Sequence, residues 1–139
     1  MRMSLIVALG FGYYVAMLPA LAQQPASPPI TQGASNIKRT PLQKFDVPGA
    51  NSETIIGIAE IGPNVNIGRH THTGPESGYV IEGEFELFVE GQPSRQLKVG
   101  DSYLVPSGAI HDARSGASGA KVIATYVVEK GRPLATPAK

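Results

Sequence analysis

The 139-residue chain contains three histidines, and two of them, His70 and His72, stand one residue apart. Side chains alternate between the faces of an extended strand, so both rings leave the same face and converge. Glu76 follows after Thr73-Gly74-Pro75, a turn that can carry its carboxylate back toward the rings. The third histidine, His111, lies beyond Pro106-Ser107-Gly108, on a separate segment that a closed barrel can place opposite the pair. Neutral imidazoles with one carboxylate suit a single borderline divalent transition metal: Mn, Fe, Co, Ni, Cu or Zn. A six-coordinate ion with four protein ligands keeps two positions for water, dioxygen or substrate, whereas zinc is content with a single exchangeable one. The chain has no cysteine, which excludes thiolate ligation and disulfides. Taken alone, a His-x-His pair also fits a polar surface pair or a satisfied core pair.

These side chains need a scaffold of strands, and the sequence between 41 and 129 supplies one. Short apolar runs alternate with turn signals, and no helical periodicity persists long enough for a helix. Strands are predicted over 42–47, 54–61, 65–72, 78–82, 85–90, 95–99, 102–105, 110–114 and 121–129. Between them lie Gly62-Pro63-Asn64, Gly74-Pro75, Gly83, Gly91-Gln92-Pro93, Gly100-Asp101, Pro106-Ser107-Gly108 and the stretch from Ser115 to Gly119. Such residues supply the positive or fixed φ that chain reversal requires. Many short strands with regular turns predict an all-β, antiparallel jelly-roll barrel. Phe85, Leu87 and Val89 share one face of their strand, while Phe88 interrupts the polar face opposite. A barrel of this size buries a modest core, so a homodimer packed over that outer face is expected.

The segment His70-Thr71-His72-Thr73-Gly74-Pro75-Glu76, with Gly83 beyond it, resembles the first motif of the cupin superfamily: His-x-His, three or four residues, Glu, six residues, Gly. The segment from Gly100 to His111 is similar to the second: Gly, five residues, Pro-x-Gly, two residues, His. Sixteen residues separate Gly83 from Gly100, close to the intermotif spacing of small bacterial members. Two positions depart from the pattern, Asn64 in place of Gly and Ser115 in place of Asn, and both retain residues that tolerate turns. The resemblance spans 42–128 and implies that His70, His72, Glu76 and His111 bind the metal.

Other residues carry less. Tyr79, Tyr103, Arg69 and Arg114 could line or gate a pocket. Strand parity sends Asp112 and Arg114 away from His111, and Tyr79 to the outer layer. Tyr103 is left as the candidate substrate contact. A triad of Ser107, His111 and Asp112 fails on the same parity. No further Glu or His is directed at the site, so no catalytic base is assigned.

At the N-terminus, Arg2, an apolar run from Leu5 to Leu18 and Pro19-Ala20-Leu21-Ala22 follow the order of a secretory signal peptide, with cleavage expected after Ala22. The expected organisation is a signal peptide at 1–22, a Pro/Ser/Gln-rich flexible linker at 23–40, a barrel at 41–129 and a C-terminal tail at 130–139. A periplasmic or secreted protein without a membrane anchor follows. A net charge of +1 with no basic cluster gives no reason to expect nucleic acid as a partner. The expected partner is a small molecule. The resemblance implies a metal-dependent oxygenase or oxidoreductase, and the alternative is a module that binds a small ligand or the metal without turnover.

Overall fold

A computed structural model of the chain describes residues 36–139. The expected signal peptide, and the expected linker up to residue 35, lie outside the described residues. Within them the structure is all-β, with eight strands and no helix: β1 (Ile37–Asp46), β2 (Ser52–Ile61), β3 (His70–Thr71), β4 (Glu76–Val89), β5 (Arg95–Lys98), β6 (Ser102–Val105), β7 (His111–Glu129) and β8 (Thr136–Pro137).

Two strands organise the barrel. β7 pairs antiparallel with β2 through one half and with β4 along most of its length, and it also meets β3. β4 pairs antiparallel with β5 and β6 on its other side, while β1 closes on β2. The sheet curls because β4 shifts register against β7 at Val80/Glu82 and at Gly83/Phe85. Each bulge bends a strand and increases its twist. Val80, Leu97, Val105, Val122 and Val128 become the most deeply buried side chains of the interior. Branched side chains in strands pack well on such a pleated surface.

Five expectations need correction. The stretches 78–82 and 85–90 are one strand of 14 residues, and 110–114 and 121–129 are parts of one strand of 19. Gly83 and the glycines after Ser115 do not reverse the chain; they permit close strand approach, the φ of Gly83 and Gly119 being 67° and 75°. The strand expected over 65–72 contracts to His70–Thr71, preceded by a single bridge between Asn66 and Arg114. The linker expected to Thr40 ends earlier, because Ile37 already pairs with Ile61 and is buried. The expected tail is structural: β8 pairs with β3, and Leu134 is buried in the core. Asn64, where the resemblance expects Gly, adopts φ 54°, the left-handed conformation that Asn tolerates.

Candidate metal centre

His70 ends up beside His111 because the β3–β7 register pairs these two residues directly. Asp112, on the opposite face of β7, helps to fix that register: its Oδ1 accepts from the Gly68 N–H at 2.8 Å. Ser115 anchors the preceding loop, accepting from the Val65 N–H at 2.9 Å and donating to the Gly62 carbonyl at 2.6 Å. Glu76 opens β4 opposite Tyr126 of β7, so its side chain enters the same interior as the rings.

The four side chains converge. One potential ligand atom from each of His70, His72, Glu76 and His111 lies within 4.8 Å of all the others. Backbone carbonyls hold every ring: Nδ1 of His70 faces Gly68 O at 2.7 Å, Nδ1 of His111 faces Ala109 O at 3.0 Å, and Nδ1 of His72 faces Leu134 O. A carbonyl accepts only, so each Nδ1 carries the hydrogen and donates. In a neutral ring Nε2 then presents a lone pair. Yet Nε2 of His72 and Nε2 of His111 lie 2.9 and 3.2 Å from one carboxylate oxygen, Glu76 Oε2. Lone pairs packed this closely require a cation among them, either a proton or a metal ion. The donor set therefore fits a divalent transition metal, with the backbone carbonyls orienting the rings.

Electrostatics follows from the same contacts. Burial opposes the Glu76 charge, but the adjacent His111 and His72 rings and the Tyr103 hydroxyl outweigh it and hold the carboxyl well below its ordinary range. Burial lowers His70 to about 4, so it is neutral and ready to ligate at physiological pH. His111 moves upward: burial disfavours its charge, but Glu76 and the Ala109 carbonyl favour it more. Without metal, the proton that the cluster needs resides best on His111.

Tyr103, the expected substrate contact, donates its hydroxyl to Glu76 Oε1 at 2.7 Å. That leaves Oε2 as the oxygen facing the imidazoles. Burial and the neighbouring Glu76 charge push the phenol well above its usual range, so Tyr103 keeps its proton. Gly78 makes room for it, since a Cβ there would lie 2.4 Å from the Tyr103 ring. A glycine inside a predicted strand is the sequence signal for such close approach. Tyr103→Phe is expected to weaken metal binding about tenfold, as loss of an outer-sphere partner does. Competition titration against a chelator measures it, and circular dichroism should show an unchanged fold. Tyr79 is exposed on the outer layer, Arg114 faces outward, and Ser107 donates to Thr73 O.

A Cupin domain family model matches residues 57–132, more than half of the chain. The chain belongs to the cupin domain family. This cupin is 31% identical over 70 residues to the dimethylsulfoniopropionate lyase DddW of Ruegeria pomeroyi, a match covering 50% of the chain and 45% of that protein. It thus spans less than half the length of this curated relative. Among solved structures it is similar to an RmlC-like cupin from Shewanella frigidimarina, with 28% identity, a TM-score of 0.57, and 70% and 81% of the two chains covered. Oxalate oxidase in complex with glycolate shares the fold at 20% identity and a TM-score of 0.52, with 60% of this cupin and 45% of that chain covered.

Proposed function

We propose that this cupin is an exported, metal-dependent oxygenase or oxidoreductase acting on a small organic molecule. The observation that carries the reading is the convergence of three carbonyl-locked imidazoles on Glu76. When bound there, a redox-active divalent ion would supply Lewis acidity and electron transfer at positions that the four side chains do not fill. The chain's own residues do the rest. The carbonyls of Gly68, Ala109 and Leu134 fix the ring tautomers, and Tyr103 fixes the carboxylate.

All three histidines are committed to the cluster, and the adjacent phenol of Tyr103 is held protonated. Side-chain proton abstraction is thereby disfavoured relative to chemistry at the ion. Similarity to DddW supports a second reading, a lyase. Native protein purified from the periplasmic fraction should begin at Gln23 and consume dioxygen with one member of a panel of small organic acids. Elimination products without oxygen uptake would establish the lyase instead, and metal binding without turnover of any member would establish a binding module.

Export is supported by the N-terminal pattern ending at Ala22. Homodimerisation is supported by exposed apolar side chains on the outer surface, Tyr79, Phe88, Leu104 and Ile123 among them. A dimer mass in light scattering at micromolar concentration is the expected result, and a monomer would overturn it.

A further inference from the structure

The three clustered rings are each held by a backbone carbonyl, but the carbonyls differ in origin. For His70 and His111 the acceptor sits two residues earlier, at Gly68 and Ala109, so the local chain supplies it. For His72 the acceptor is Leu134, 62 residues away, and it lies beyond residues 57–132, which the family model matches. His72 is therefore the ring whose orientation depends on a separate segment. Its own strand cannot supply the constraint: β3 is two residues long, and pairs so short are marginal by themselves.

After β7 the chain turns at Gly131, whose φ is 78°, with the Arg132 N–H donating to Glu129 O at 3.1 Å. The Leu134 side chain then enters the core while its carbonyl faces Nδ1 of His72. β8 follows, antiparallel to β3 along the edge that β7 leaves open, with His70 opposite Pro137 and Thr71 opposite Thr136. Two further contacts fasten its far end: the Ala138 N–H donates to Arg69 O at 3.0 Å, and Arg69 Nε donates to Lys139 O at 3.0 Å. Arg69 Nη2 pairs in turn with Glu90 Oε1 at 2.8 Å, which ties the segment to the end of β4. A buried carbonyl needs a donor, so Leu134 and His72 satisfy each other. Release of this segment would free the ring to rotate, and Nε2 would leave its place 2.9 Å from Glu76 Oε2.

We propose that residues 131–139 form a strap that sets the orientation of His72, with Leu134 as its positioning residue and Arg69 as its catch. This deepens the reading of the cluster as a metal centre and rests on it. The test follows the ring N–H groups of the metal-free full chain by nitrogen-15 NMR, and the zinc affinity of the same proteins by chelator competition. In the wild type all three Nδ1–H signals should be protected from exchange with water. Leu134→Ala should speed exchange at His72 about tenfold or more while His70 and His111 keep their wild-type rates, because truncating a buried leucine costs well beyond the free energy of a tenfold factor. Leu134→Met, which conserves volume, should restore the wild-type rate. Arg69→Gln leaves the core intact and should act on His72 alone, by about two- to threefold, since exposed ion pairs contribute little. Zinc should bind Leu134→Ala about tenfold more weakly, the scale of a lost outer-sphere partner. Equal acceleration at all three rings would reduce Leu134 to a general core residue and overturn the proposal, as would an unchanged His72 in Leu134→Ala. Selective release of His72 in a protein whose wild type takes up no zinc would support the strap and overturn the metal reading.

Discussion

His72→Ala is expected to lower transition-metal content from near one ion per chain to a small fraction of that, a loss of at least about 100-fold in affinity, given that outer-sphere changes alone cost 10–100-fold. The ring is almost fully buried, at 6% exposure, and lies between Leu134 O and Glu76 Oε2. No neighbouring side chain can replace its Nε2. Elemental analysis of the purified variant measures the effect. Because alanine also leaves a cavity, His72→Gln serves as a second variant with a preserved volume, and circular dichroism separates loss of metal from loss of fold. Unchanged occupancy in a folded variant would refute the site.

The same cluster dictates the pH response. Metal must displace the proton that Glu76 and Ala109 O favour on His111, so affinity is expected to fall as pH drops toward and below about 6.5. His70, lowered to about 4, stays neutral through this range and does not contribute to the early loss. Stability of the metal-free protein runs differently. The unfolded chain protonates His70 near 6.5 and the folded one only near 4, so this residue's contribution is full above 6.5 and disappears as pH falls toward 4. Glu76, with its carboxyl also lowered on folding, adds a further loss below its ordinary range. His111 has the opposite sign, stabilising below 6.5 and losing that contribution as pH rises through its elevated value. Chelator competition and thermal melts over pH 8 to 4 distinguish the two profiles; a flat metal affinity would show that imidazoles are not the ligands.

Gly83→Ala is expected to be the most damaging single-methyl change to the scaffold. Its φ is 67°, and a Cβ would lie 2.0 Å from the Gly119 carbonyl oxygen across the β4–β7 pair. The left-handed conformation alone costs an alanine roughly 1–2 kcal/mol. The overlap with fixed backbone must in addition force the two main strands apart, for a total of about 3 kcal/mol or more. A domain of this size should then lose roughly 12–24 °C in Tm. Gly91→Ala provides the control: its φ is 77°, but nothing lies within 4 Å of the added carbon. It should lose only the conformational part, about 1 kcal/mol. Equal melting temperatures for the two variants would show that close strand approach at Gly83 is unimportant.

Local chemistry made part of this protein legible before folding. The alternation of strand side chains brought His70 and His72 together, and the spacing of Glu76, Gly83, Gly100, Pro106, Gly108 and His111 marked the cupin pattern. Glycine was harder to read, because a reversal, a bulge and a close approach all select for the missing Cβ. Hence the glycines of β4 and β7 looked like strand ends although they lie within continuous strands.

The sequence by itself determined the strand class, through its spacing of apolar runs and turns, and the identity of the four converging side chains, through its resemblance to the two cupin motifs. Only the tertiary structure decided what surrounds them. The Leu134 carbonyl reaches His72 across 62 residues, and the Tyr103 hydroxyl reaches Glu76 across 27. Those partners are distant in the chain and meet through sheet register, which no local pattern encodes. The tautomers of the clustered rings, and with them the electrostatics of the site, are therefore properties of the closed barrel.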